Sequence, residues 1–218
     1  MKLTRYGTDV IIGSFLVADA LIIGGYFVPI TVVSILMMAL GVFLLLFTIW
    51  FFRDPDRTGP AGIDDGTVLS TADGKVVVVQ DIVDNEYHKG PAKQVSIFLS
   101  PLNVHVNRHP ISGQIDHYRY VNGEYLVAFH EKASDLNERT HIGVRNSRVG
   151  VLHKQIAGAV ARRIVCNLKV GDQATIGERF GMIKFGSRVD LIVPPEAIVH
   201  VKLGDIVVAG ETVIFTMP

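Results

Sequence analysis

Gly186-Ser187, near the end of a 218-residue chain, is the pair whose chemistry stands out first. It lies between two apolar runs, 180–185 and 189–193, both rich in the β-branched and aromatic residues of strands. A serine hydroxyl placed there can attack the carbonyl just before it and cut its own chain. For that it needs a base and an orienting acid. Thr71-Ala72-Asp73-Gly74-Lys75 offers Asp73 in a tight turn between strands. The segment Ser100-Pro101-Leu102-Asn103-Val104-His105-Val106-Asn107-Arg108-His109-Pro110 offers two histidines in a loop after a strand. Taken singly, Asp73 also reads as an ordinary turn aspartate and His105 as a satisfied loop histidine. His109, followed by Pro110, reads more as loop structure. The remaining histidines have no motif around them. Because His105 and His109 span a loop rather than a helical turn, no metal site is expected.

These groups need a scaffold, and the hydropathy pattern divides the chain. Residues 10–27 are apolar apart from Ser14 and Asp19, Val28-Pro29 interrupts, and 30–52 carry no charge. A membrane-crossing helix needs about 20 apolar residues. The pattern predicts a transmembrane helical hairpin over 1–52. A signal peptide fits less well, since no small-x-small cleavage site is clear and a longer apolar run follows. Lys2, Arg5, Arg53 and Arg57 flank the two outer ends, so both ends and the domain beyond are expected on the cytoplasmic side of the cell membrane. Asp19 is expected to face the partner helix or a neighbouring protomer, or to mark a shallow first helix.

Residues 53–66, rich in Pro, Gly and charge, read as a linker. From 67 to 218 the pattern is short strands and turns: strands over 68–70, 75–80, 94–99, 113–120 and 125–129, with turn signals at Ala72-Asp73-Gly74 and Val121-Asn122-Gly123. Residues 155–165 fit a helix or a strand equally. Lys169-Val170-Gly171-Asp172 with Gly177-Glu178 recurs 33 residues later as Lys202-Leu203-Gly204-Asp205 with Gly210-Glu211. Two such halves resemble the barrel-sandwich hybrid of lipoyl and biotinyl carriers, giving a mainly β domain. Formal net charge is +0, which argues against a nucleic-acid partner. The lone Cys166 allows no internal disulfide and reads as core filler.

Six segments, in order, carry a further likeness: Phe51-Phe52-Arg53-Asp54-Pro55; Ala72-Asp73-Gly74-Lys75; Ser100 to Arg108 as quoted above; Asn137-Glu138-Arg139; Gln155-Ile156-Ala157-Gly158 with Ala161-Arg162-Arg163-Ile164-Val165; and Phe185-Gly186-Ser187-Arg188-Val189-Asp190. Over nearly its whole length the chain resembles the short, pyruvoyl-dependent phosphatidylserine decarboxylases of bacteria and archaea, archaetidylserine decarboxylase included. The resemblance implies that Ser187 attacks the Gly186 carbonyl and that β-elimination splits the chain between 186 and 187. A pyruvoyl cofactor would then cap 187–218, and fragments 1–186 and 187–218 would stay associated. It implies a Schiff base between that group and the substrate amine, which drives loss of carbon dioxide from a serine-headed phospholipid in the membrane. It also implies that His105 and Asp73 activate Ser187 and that His105 returns the proton. Longer relatives have a second histidine three places after the first, where this chain has Arg108, so His109 is an alternative proton carrier.

Arg108, Arg162, Arg163 and Arg188 are candidates for the lipid phosphate or the substrate carboxylate. Asn137-Glu138-Arg139 can structure the pocket. A homo-oligomer is compatible with the sequence. Two rival readings remain at this level: a pyruvoyl decarboxylase of a soluble amino acid, and a membrane-tethered lipoyl-like binding or carrier domain that is never cut.

Overall fold

A computed structural model describes residues 2–123, 137–158, 164–183 and 187–218. The strand expected over 125–129 lies outside the described residues, as do Gly186, Arg162 and Arg163. The chain forms two compact units, Met1–Asp56 and Arg57–Pro218. The segment read as a linker is therefore divided between them.

The first unit is a helical hairpin. Helix α1 (Thr8–Phe27) and helix α2 (Thr31–Phe51) are both long and apolar enough to cross a membrane. At 1.5 Å per residue each spans about 30 Å, the thickness of a hydrocarbon core. Gly41 lets them approach closely: a Cβ there would stand 2.7 Å from the Ala18 carbonyl oxygen and 2.6 Å from the Ile22 side chain. Strands β1 (Lys2–Leu3) and β2 (Arg53–Asp54) pair antiparallel and tie the two ends together. Arg53 donates to the Trp50 carbonyl at 2.7 Å and stacks over the Trp50 ring, a pairing suited to the edge of a bilayer. Asp19 is exposed on α1.

The second unit is mainly β. Its strands are β3 (Thr67–Leu69), β4 (Gly74–Asp84), β5 (Gly90–Leu99), β6 (Val106–Arg108), β7 (Gly113–Val121), β8 (Arg139–Arg145), β9 (Gly150–Ala157), β10 (Ile164–Cys166), β11 (Gln173–Ala174), β12 (Arg179–Ile183), β13 (Ser187–Val193), β14 (Ile198–Val199), β15 (Ile206–Val207) and β16 (Val213–Thr216). An eight-stranded curled sheet runs β11-β7-β8-β9-β13-β5-β4-β15. Two three-stranded sheets, β10-β12-β6 and β14-β16-β3, supply further residues to the same core. The stretch 155–165, ambiguous in sequence, ends β9 and includes the start of β10. Strand β13 is buried at every position because it has a neighbour on each side and cover on both faces. Such strands read as continuous apolar runs rather than alternating ones. Side chains still alternate: Val189, Leu191 and Val193 join the main core with Ile97, Leu99, Val151 and Ala157. Ile192 lies on the other side with Ala92 and Leu152. We call these the inner and outer faces.

The 33-residue repeat is structural. Asp172 and Asp205 each accept from the backbone N–H three residues earlier, Lys169 at 2.8 Å and Lys202 at 2.9 Å. Gly171 and Gly204 share φ values of 100° and 96°, where a side chain is strained. Each turn then bonds to a long strand in the same way, at Ile115 in β7 and at Val76 in β4. Strands β11 and β15 extend opposite ends of the large sheet, pairing with Gly113 and Gly74 respectively. The equivalence reaches upstream: segment 69–74 matches segment 108–113.

Candidate active site

Ser187 opens β13, with Leu99 of β5 as its partner on one side and Ala157 of β9 on the other. By alternation with Val189 it faces inward. It is fully buried, and its hydroxyl has no hydrogen-bond partner among the described residues. Leaving a buried hydroxyl unpaired costs about 1–3 kcal/mol, so the group calls for an explanation.

Both neighbours of Ser187 are anchored by segments picked out in the sequence. On the β9 side, Asn137 donates to the Ala157 carbonyl at 2.6 Å and the Ala157 N–H donates to the Glu138 carbonyl at 2.9 Å. The Glu138 carboxylate accepts from the Tyr120 hydroxyl at 2.9 Å. Asn137-Glu138-Arg139 thus braces the strand end against which Ser187 lies. On the β5 side, Leu99 leads into a tight turn closed by reciprocal bonds of 2.9 Å between Ser100 and Asn103. The turn returns the chain to His105, which is fully buried. Its carbonyl accepts from the Ile183 N–H at 3.4 Å, and Ile183 precedes Ser187 by four residues, at most about 14 Å of chain. His105 is therefore held to the Ser187 end of the sheet by two separate routes.

A buried polar chain fixes β6 beneath the large sheet. Thr140 donates to Gln155, Gln155 donates to Asn107, both at 2.8 Å, and Asn107 donates to the Thr71 carbonyl at 3.3 Å. Thr71 opens the turn that carries Asp73. Gly74 packs its Cα against the Phe98 carbonyl, where no Cβ fits. With Lys75 paired to Phe98, Asp73 lies at the same end of the sheet as Ser187. Two strand spacings separate β4 from β13, about 10 Å. The Asp73 carboxylate is held on both oxygens: Oδ1 accepts from the Ala209 N–H at 2.9 Å and Oδ2 from Arg57 at 2.7 Å. Arg57 also faces Glu211 at 3.7 Å. The sequence marks Arg57 only as a basic residue flanking the hairpin; its pairing with Asp73 was not legible, because it stands in a run of linker-like residues.

Asp73 has a counterpart. In the matching half Ser112 accepts from the Ile176 N–H at 3.0 Å, and Ile176 stands 33 residues before Ala209. One Asp73 oxygen therefore does a structural task that a serine does elsewhere in the same fold. Asp73→Ala should strand the buried Ala209 N–H and cost about 1–3 kcal/mol. Asp73→Ser should recover most of it. Denaturant melts of the two variants measure this, and equal stabilities would contradict the assignment.

The other candidates separate. Arg108 is buried and donates to the Gly177 carbonyl at 2.8 Å, in a cleft of about 490 Å³ that also takes Arg57 and Arg179. Arg188 points to the outer face, opposite to Ser187, and its buried guanidinium binds Asp190 at 2.7 Å and Ser96 at 2.8 Å. His109 lies four residues beyond His105, about 13 Å along an extended chain. It packs on Phe180, which also touches His153. Burial pushes His109 down to about 4 and His153 well below the usual histidine range. Both are neutral in the folded protein, whereas an unfolded histidine takes up a proton near pH 6.5. The unfolded state thus binds more protons between pH 6.5 and 4, and stability falls as pH drops through that window. Melting temperatures between pH 7.5 and 4.5 should decline steadily below 6.5, and a flat profile would contradict it.

A β domain that gathers a buried serine, a buried histidine and a bound aspartate at one sheet end has the parts of a catalytic site. The family model described as phosphatidylserine decarboxylase matches residues 44–215. A phosphatidylserine decarboxylase proenzyme of Salinibacter ruber is 51% identical over 183 residues, 84% of this chain and 81% of that protein. The proenzyme of Chlorobium chlorochromatii is 44% identical over 212 residues, 97% of this chain and 98% of the relative. The chain belongs to the phosphatidylserine decarboxylase family, and it is a decarboxylase.

Proposed function

We propose that this protein matures by cutting itself between Gly186 and Ser187 and then decarboxylates phosphatidylserine, or a lipid with the same headgroup, to the ethanolamine phospholipid. The observation that carries the reading is the Ser187 hydroxyl, buried and without a hydrogen-bond partner among the described residues, at the start of a strand. An atom kept in that state suits a reaction with the adjoining carbonyl.

In the self-cleavage, Ser187 Oγ adds to the residue 186 carbonyl carbon as its proton passes to a base, which we assign to His105. The amide C–N bond breaks, the nitrogen is protonated, and an ester replaces the amide. Loss of the Ser187 α-proton expels the residue 186 carboxylate and leaves a dehydroalanine. Uptake of water and loss of ammonia turn this into the ketone of a pyruvoyl group. Asp73, fixed by Ala209 and Arg57, supports the histidine's positive charge as it forms. The residues present fit such a group, since position 187 lies in a buried setting between two strands that persist after the cut. When formed, that ketone supplies the electron sink for decarboxylating an amine-bearing substrate. His105 then returns a proton to the substrate α-carbon. Arg108 is the best placed of the described candidate arginines for an acidic part of the substrate, being on the inner strand β6.

Strand β13 keeps both fragments together, because its neighbours β5 and β9 belong to 1–186. The helical hairpin suits a substrate that never leaves the bilayer, and its flanking basic residues favour the cytoplasmic side. Denaturing electrophoresis with intact mass tests the reading. Fragments 1–186 and 187–218, the second with an N-terminus that reacts with hydroxylamine, are expected; a single uncut chain in decarboxylating protein would refute it.

A further inference from the structure

The outer face of the large sheet, away from Ser187, carries a polar cavity of about 570 Å³. Its floor is a cross-strand row. Arg119 of β7 stands opposite His141 of β8, which stands opposite Lys154 of β9, and Lys154 stands opposite Asp190 of β13. Arg119 and Lys154 thus flank His141 on one face, and like charges this close on a sheet call for compensation. Part of that comes from Glu86, which meets Arg119 at 3.2 Å, His117 at 3.0 Å and His141 at 2.5 Å. Arg139 donates to His141 Nε2 at 3.1 Å. His141 Nδ1 therefore carries the proton given to Glu86, and the ring is neutral. Burial, together with Lys154 and Arg119, holds its pKa at about 4 despite Glu86.

The acids available to the cavity are already engaged. Asp84 accepts from the backbone N–H groups of Glu86, Tyr87 and His88. Asp190 is bound by Arg188. The Lys154 ammonium makes no hydrogen bond or ion pair among the described residues. Cations at Arg119, Arg139 and Lys154 thus converge on a hollow in which both lining carboxylates have partners.

We propose that this cavity binds a phosphate-bearing anion, with Lys154 and Arg119 as its principal contacts. Lysine serves as a point charge for phosphate, and arginine can add paired N–H donors. The site also reaches the strand of Ser187. Gln94, on the cavity wall, donates to Ser96 at 2.9 Å, and Ser96 accepts from Arg188, the residue after Ser187. Occupancy on the outer face can thereby bear on the geometry at residue 187. The phosphate can come from solution or from a lipid headgroup.

Calorimetric titration of the full chain in detergent with inorganic phosphate, at ionic strength held constant with chloride, tests the site. One saturable site is expected. Lys154→Met keeps the apolar stem and should weaken it about tenfold or more, the equivalent of one charge-assisted hydrogen bond. Arg119→Gln should do the same, with melting curves confirming that both variants are folded. Repeating the titration in nanodiscs separates the sources. Phosphate binding kept in phosphatidylcholine discs but lost in phosphatidylglycerol discs identifies a lipid headgroup, and binding kept in both identifies soluble phosphate. Absence of saturable binding, or binding unchanged in Lys154→Met, would overturn the proposal whatever the outcome of self-cleavage.

Discussion

Ser187→Ala is expected to leave one uncut chain of 218 residues without decarboxylase activity. The substitution removes a single oxygen from a fully buried site at which no hydrogen bond among the described residues is lost. The strand pairings with Leu99 and Ala157 are backbone contacts and survive it. The fold should therefore melt at or slightly above the wild-type temperature, since a buried hydroxyl without a partner is gone. The chemical loss is total in this scheme, because the same atom is nucleophile and cofactor precursor. Decarboxylation should fall to the uncatalysed background, on the order of 10⁶-fold or more. Intact mass, hydroxylamine reactivity and carbon dioxide release measure the three parts. A 187–218 fragment from the folded variant would show that cleavage does not start from this hydroxyl.

Much of the β domain was legible because turn chemistry is local. The Gly-Asp turns at 171–172 and 204–205 use the same two side-chain features in both halves, so the repeat is visible as letters. The upstream half of the same symmetry is not. Segment 69–74 and segment 108–113 take equivalent places but share only their closing glycine, because the equivalence rests on backbone bonds to Gly210 and Gly177 that many side chains permit. The undecided stretch 155–165 has no period of its own. Its described ends take their conformation from the strands they pair with, 155–157 from β8 and β13 and 164–165 from β12. Arg188 shows the opposite failure. Adjacent in sequence to Ser187, it lies across the sheet from it, as alternation in any strand requires, and its charge is held by Asp190. The role of Arg57 beside Asp73 became visible only once the fold joined the two, sixteen residues apart in sequence.

The symmetry also separates what the scaffold requires from what it does not. The carbonyl of His105 accepts from Ile183 as that of Gly66 does from Met217 in the matching half. A glycine and a histidine thus meet the same backbone demand. Ser112 and Asp73 likewise meet another. The fold needs neither an imidazole nor a carboxylate at these places, yet one half has the histidine and the other the aspartate, both at the sheet end where Ser187 lies. Residues beyond what the scaffold requires, one from each half of a pseudo-symmetric frame and both at one sheet end, are a stronger sign of catalysis than any single motif.

His105→Gln follows from that contrast as the second large expected effect. Glutamine keeps a polar, similarly sized side chain at a buried position and leaves the carbonyl bond to Ile183 intact, but it cannot accept a proton near neutral pH. Loss of a general base typically costs about 10²–10⁴ in rate. Self-cleavage should slow by that factor, measured as the half-time for fragment 187–218 to appear after synthesis. Turnover has to be normalised to carbonyl content, titrated with hydroxylamine, so that slow maturation is not mistaken for slow catalysis. If His105 serves both steps, turnover per carbonyl falls by a similar factor. If cleavage alone slows, His105 is the base of maturation and another group returns the proton to substrate; the buried, acid-shifted His109 packed on Phe180 is poorly placed for that. If neither rate changes, the base lies elsewhere, and Asp73→Ser, which keeps the Ala209 contact while removing the carboxylate, then tests whether Asp73 acts without a histidine between it and Ser187.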